Sequence, residues 1–316
     1  MKEAHASRNA PRGGVCGIYG SRMFFFSLCF CCLLHVVPAG AQDIRILMPS
    51  SAGTGDAVLV AAAALQAHNF IFTWRGRTLT VPAITTPEGS YARILLPVPL
   101  DEKAAQLSLR VSVQGLPSVQ QHIRIVQKKR PVQELKVESA YVEPPPEVRA
   151  RIEEEAIRTR ELLGTFSLRR QWQLPLQRPV SGSVSSAFGL RRVFNGQPRS
   201  QHKGLDLRGA AGTLVLAVED GTVALAEELY FSGNVVYLDH GLGLFSMYGH
   251  LSAIDVRPGQ QVRRGQVLGK VGSTGRVTGP HLHLGCYVLG SAVDPVPLME
   301  AGEATTKPDA KDAGTP

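Results

Sequence analysis

Four residues at the two ends of one stretch could do chemistry together. His202 and Asp206 open it in Gln-His-Lys-Gly-Leu-Asp, and His281 and His283 close it in Gly-Pro-His-Leu-His-Leu. Three imidazoles and a carboxylate are the donor types that hold a catalytic zinc ion while leaving one coordination position open. Gly204, Gly209 and Gly212 argue against a helix around His202, so the spacing predicts a strand or an extended loop. In a strand, positions i and i+4 share a face, as do i and i+2. His202 with Asp206, and His281 with His283, are therefore expected to converge from two neighbouring strands.

The elements that must position them read as mainly β. Seven short runs, at 44–48, 57–65, 70–74, 77–81, 91–100, 107–113 and 122–126, are separated by Gly, Pro, Ser or Asn. They predict an Ig-like β-sandwich over residues 42–127. Trp74-Arg75-Gly76-Arg77 reads as a tight hairpin and Trp74 as a packing residue. Residues 128–171 read as a linker with a helix: Lys128-Lys129-Arg130-Pro131, then Pro144-Pro145-Pro146, then a helical segment over 147–163. Ile152, Ala156, Ile157 and Leu163 make its thin apolar stripe, and it reads as a strut between domains. From 172 to 299, apolar strands at 214–218, 235–238, 244–248 and 267–271 are punctuated by glycine turns. That pattern predicts a mostly antiparallel β domain. Residues 300–316, small and polar, read as a disordered tail.

The 316 residues suffice for two cores. After Arg22 comes an apolar run over 23–37, broken by Pro38, with Ala39-Gly40-Ala41 behind it. This reads as a secretory signal peptide over residues 1–41, cleaved before Gln42. The run is shorter than the roughly 20 residues a membrane-spanning helix needs. Export then places the protein in the periplasm or cell envelope. Cys16, Cys29, Cys31 and Cys32 lie in the removed segment, leaving Cys286 alone and no internal disulfide. Removal of Lys2, Arg8, Arg12 and Arg22 with Glu3 takes the formal charge from +8 to about +5. So mild and scattered an excess suits an acidic wall polymer or a membrane surface and gives no case for nucleic acid.

Between the two ends lie further motifs. These are 185–192, Ser-Ser-Ala-Phe-Gly-Leu-Arg-Arg; Gly233-Asn234-Val235-Val236; Asp239-His240-Gly241; and Tyr248-Gly249-His250-Leu251-Ser252. Val271-Gly272-Ser273-Thr274-Gly275 and Gly279-Pro280-His281-Leu282-His283 complete the set. With these, residues 176–297 resemble the lysostaphin/LytM-type zinc metallopeptidases, which cut the peptide part of bacterial peptidoglycan. The sandwich and strut resemble the layout that precedes this domain in some Gram-negative members. The resemblance implies one Zn2+ held by His202, Asp206 and His283, with His250 and His281 as catalytic histidines. No His-Glu-x-x-His segment supplies a Glu base, and a neutral imidazole near its own pKa can fill that role.

The expected activity is that of an exported zinc endopeptidase hydrolysing peptide cross-links or stems of peptidoglycan by metal-activated water. Peptidoglycan peptides are the expected partner, with a regulatory wall or envelope protein as a further one. The alternative is a non-catalytic LytM-type activator of cell-wall amidases; such relatives lose metal ligands, and this chain keeps all three. A biotinyl- or lipoyl-type carrier, suggested by a hairpin over 262–269, lacks its lysine. His240 and Asp239 read as structural turn residues, His68 and His122 as structural, and Asn195-Gly196 as a hairpin turn. Arg191 and Arg192 read as surface ion-pair formers or contacts for substrate carboxylates. Cys286 has odd parity relative to His283 and is expected to face away from it as a buried thiol.

Overall fold

The computed structural model describes residues 43–300. The expected signal peptide, residues 1–41, and all of the expected tail but residue 300 lie outside the described residues.

Nine strands fill the N-terminal third: β1 (Arg45–Leu47), β2 (Ser51–Gly53), β3 (Ala57–Ala64), β4 (Asn69–Trp74), β5 (Arg77–Pro82), β6 (Ile84–Thr86), β7 (Gly89–Pro97), β8 (Gln106–Ser112) and β9 (Val119–Val126). The two that the sequence pattern did not show, β2 and β6, are three residues long, too short to display an alternation. One sheet runs β1-β3-β7-β6 and the other β2-β9-β8-β4-β5. Phe70, Phe72 and Trp74 alternate inward along β4 and meet Val60, Ile94 and Leu96 from the opposite sheet. Trp74 packs there and donates its indole N–H to the Pro97 carbonyl at 2.9 Å. Arg75 and Gly76 take φ of 48° and 76°, the two positive values a tight two-residue hairpin requires.

The stretch read as a linker is not a free tether. Residues 132–135 form β10 (Val132–Leu135), and α1 (Ser139–Val142) and α2 (Pro146–Gly164) follow. The apolar stripe expected along α2 is only partly used: Leu163 is buried, but Ile157 is 44% exposed. The helix is held instead through buried Glu155, whose carboxylate accepts from Arg151 Nε at 2.6 Å and from the Tyr230 backbone N–H at 2.9 Å.

The remainder comprises β11 (Val184–Ser186), β12 (Arg191–Phe194), β13 (Gln197–Pro198), β14 (Leu205–Arg208), β15 (Leu214–Leu216), β16 (Gly221–Leu229), β17 (Gly233–Asp239), β18 (Leu244–Ile254), β19 (Gln261–Val262), β20 (Val267–Val271), β21 (His281–Val288), β22 (Ser291–Val293) and α3 (Pro295–Glu300). An antiparallel sheet runs β11-β14-β21-β18-β17-β16-β19, with β15, β20 and β22 attached. β10 joins the β12–β13 hairpin in parallel, Val132 opposite Arg191 and Leu135 opposite Phe194. The expected hairpin over 262–269 is absent: β19 pairs with β16, and β20 with β15 and β18. A turn joins two strands that belong to different neighbours.

The two β units touch. Arg77 donates to the carbonyls of Leu289 at 3.1 Å and Gly164 at 3.0 Å, and the Asp294 N–H donates to Gly55 at 2.8 Å. Leu242 packs into the sandwich core and Leu95 into the C-terminal one.

Candidate metal and catalytic site

β14 and β21 place the key residues by alternation. Leu205, Leu207, Leu282 and Leu284 are fully buried on one face of the sheet, so Asp206, Arg208, His281 and His283 stand on the other. The antiparallel register sets Asp206 directly opposite His283 and Arg208 opposite His281. His202 comes from the loop before β14 rather than from the strand. Its backbone N–H donates to Leu190 at 2.8 Å, and it is 2% exposed.

His250 reaches the site by a different device. Asn234 pairs with Leu251 and Val236 with Tyr248, so Gly249 and His250 together face Val235 alone. This is a β-bulge, and it turns His250 to a φ of 65°, a left-handed conformation that non-glycine residues adopt at a cost. Asp206 is set next to His283 by strand pairing; His250 is aimed there by strain.

Three donor atoms converge. His202 Nε2 lies 3.0 Å from Asp206 Oδ1, His283 Nδ1 lies 2.8 Å from the same oxygen, and the two nitrogens are 3.1 Å apart. Donors held about 2.0–2.2 Å from one tetrahedral ion would stand roughly 3.4 Å from each other, so small outward shifts admit a metal. The tautomers agree. His202 Nδ1 lies 2.9 Å from the Ala187 carbonyl and donates its proton there, leaving an Nε2 lone pair aimed at a carboxylate and at a second ring nitrogen. Lone pairs so placed repel unless a cation sits between them.

His250 and His281 flank this triangle. His250 Nδ1 lies 2.8 Å from the Thr274 carbonyl and His281 Nδ1 lies 2.8 Å from the Gly279 carbonyl. Both donate there and keep Nε2 unprotonated. The two rings are 5.0 Å apart, and His250 is 5.9 Å from the His283 ring. His281 Nε2 stands 3.8 Å from Asp206 Oδ1, a full ångström farther than His283.

Burial shapes the charges. Burial lowers the His202 pKa, with Asp206 opposing, and burial aided by His283 and His281 pushes His250 down to about 3. For Asp206 burial works against ionisation, but the rings of His202 and His283 against its carboxyl outweigh it and hold it far below the usual range.

Sequence reasoning left Arg192 between two readings and missed what it does. Its Nη2 donates to Asp206 Oδ2 at 2.8 Å, fixing the carboxylate oxygen that does not face the histidines. Gln133 of β10 was also missed; its Oε1 accepts from Ser186 Oγ at 2.9 Å in the cleft wall. No local pattern marks either partner, because both contacts arise from tertiary pairing. Other candidates lie elsewhere. Fully buried His240 bridges the Asp220 carbonyl and Ser246 Oγ. Asp239 binds Ser167 and Gly241, and His122 binds Ser108. His68 lines a separate cleft in the sandwich, and Arg191 faces solvent. Cys286 is a buried core thiol, pushed up to about 12 by burial.

The site opens into a cleft of about 350 Å³ lined by Gln133, Phe194, Arg276, His250 and His281 among others. Asp206 is the sole carboxylate residue on its wall among the described residues.

An antiparallel sheet that sets Asp206 opposite His-x-His, with His202 from the preceding loop and a bulged histidine beside them, defines a class of metal-dependent peptidase domain. Residues 200–295 match the model of peptidase family M23. It is 40% identical over 131 residues to the peptidoglycan DD-endopeptidase ShyA of Vibrio cholerae, covering 40% of this chain and 30% of that one. It is 38% identical over 126 residues to the DD-carboxypeptidase/endopeptidase Mpg of Neisseria meningitidis, covering 40% and 29%. The match thus spans less than a third of the length of these relatives. A Pseudomonas aeruginosa protein assigned to peptidase M23 has a crystal structure with a TM-score of 0.61 and 29% identity. That similarity covers 83% of this chain and 95% of the other, including the region of the sandwich.

Proposed function

We propose that the chain is an exported zinc endopeptidase that hydrolyses peptide cross-links or stems of peptidoglycan in the periplasm or envelope. The observation that carries this reading is the convergence of His202 Nε2, Asp206 Oδ1 and His283 Nδ1 beside two imidazoles whose Nδ1 protons are committed to backbone carbonyls. Residues 1–41, 42–127, 128–171 and 172–299 serve in this reading as signal peptide, sandwich, connecting segment and peptidase domain.

His202, Asp206 and His283 would hold the zinc. When bound, it supplies Lewis acidity toward the scissile carbonyl and acidifies water toward neutral pH. Proton transfer falls to the imidazoles, since Asp206 is engaged by Arg192 and the ligand histidines. Burial keeps His250 neutral, and its Nε2 can accept a proton from the attacking water. His281 Nε2 stands on the other flank, where a protonated ring can donate to the leaving amine or to the oxyanion. The names of ShyA and Mpg support a DD-endopeptidase bond as the target.

Mass spectrometry of peptides released from purified sacculi tests this. The zinc-loaded chain should convert cross-linked dimers to monomers, and His250→Ala and His281→Ala should not. A zinc-loaded chain that releases nothing yet stimulates an added amidase would replace this reading with that of an activator.

A further inference from the structure

One wall of the cleft holds a cation that no described residue neutralises. Arg276 stands in the loop between β20 and β21, its guanidinium carbon 4.9 Å from the Phe194 ring centroid and 4.5 Å from that of Phe231. Its backbone N–H donates to the Phe231 carbonyl at 2.9 Å. The preceding Gly275 has a φ of 72°, and a Cβ there would collide with the backbone of Gly233. The backbone of the loop is therefore constrained, and the guanidinium is held against two aromatic rings.

The two rings pack against the guanidinium but give its N–H edge no acceptor. Among the described residues no carboxylate or carbonyl accepts a hydrogen bond from that edge. Arg192 and Arg208 line the same cleft, where Asp206 is already bonded to Arg192. Burial, and after it the nearby charges of Arg192 and Arg199, push Arg276 down to about 10. A rigid guanidinium with its donor fork free fits a carboxylate in bidentate fashion.

We propose that Arg276 is a specificity-determining residue that clamps a free carboxylate of the peptide substrate beside the scissile amide. The proposal rests on the peptidase reading above. It deepens that reading by requiring an anionic peptide rather than any peptide that enters the cleft.

The test is steady-state kinetics of the zinc-loaded full chain on two cross-linked peptidoglycan peptide dimers. They are identical except that the carboxylates flanking the cross-link are free in one and amidated in the other. The free form should be preferred by about 10- to 100-fold in kcat/KM, carried mainly by KM. Arg276→Ala should erase that preference with its zinc content intact, and Arg276→Lys should keep part of it. The comparison with the unaltered chain needs no variant, so a misfolded Arg276→Ala does not spoil it. Equal cleavage of both dimers by the unaltered chain overturns the carboxylate clamp and leaves the peptidase reading standing. A preference undiminished in folded Arg276→Ala also overturns the clamp, and cleavage of neither dimer overturns both.

Discussion

At His202, His250 and His281 one device recurs. Each ring lies with Nδ1 2.8–2.9 Å from a main-chain carbonyl, of Ala187, Thr274 and Gly279 respectively. The backbone thus selects the tautomer that presents Nε2 to the cleft. Arg192 does the equivalent for Asp206 by holding Oδ2 while Oδ1 faces the histidines. Arg192→Ala should weaken zinc binding by about 10- to 100-fold, read by competition with a chromogenic chelator. Unchanged affinity would show that Arg192 plays no part in orienting the ligand. Gly204→Ala should also weaken it, because a Cβ there would run into the His283 ring. The shared face of Asp206, His281 and His283 was legible in the sequence because strand parity is a local rule, whereas His202 reaches the site from the loop before β14. Arg192 was visible as an arginine, but its partner was not, since 14 residues and a loop separate it from Asp206.

At the scale of elements, long runs with clear alternation were read correctly and irregular pieces were not. β4 and β5 show in Phe70, Phe72, Leu79 and Val81 and in the turn at Arg75-Gly76. The bulge at Gly249-His250 leaves no periodic trace, because it exists only relative to the register of β17. β10 lacks a core of its own and is a strand only because the β12–β13 hairpin offers an edge. The helix α2 shows a pattern that misleads: Ile157 faces out and Glu155 faces in. Glu155→Ala should therefore destabilise the protein by about 1–3 kcal/mol, leaving the Tyr230 N–H without its acceptor. Ile157→Ala should stay within about 0.5 kcal/mol. Urea or thermal unfolding of both variants checks this, and the reverse ranking would restore the apolar stripe as the anchor.

For the whole molecule, the sandwich is bound to the C-terminal unit by Arg77 and by the Asp294–Gly55 bond, contacts no sequence pattern announces. Buried neutral histidines also set its response to acid. His250 at about 3, with His202 and His240 lowered too, all lie below the ordinary histidine value. Above about pH 6.5 neither state binds these protons; as pH falls toward about 3 the unfolded chain takes them up first. The metal-free protein should lose on the order of a few kcal/mol of stability across that window. Denaturant titrations at stepped pH measure it, and a flat profile from pH 6.5 to 4 would contradict the burial of these rings. The most direct test of the central claim is zinc per chain by elemental mass spectrometry, in the full chain and in five single alanine variants. One ion is expected in the unaltered protein, in His250→Ala and in His281→Ala, and none in His202→Ala, Asp206→Ala or His283→Ala. Stoichiometric zinc surviving in any of the last three, or lost from His250→Ala, would contradict the ligand set on which this account stands.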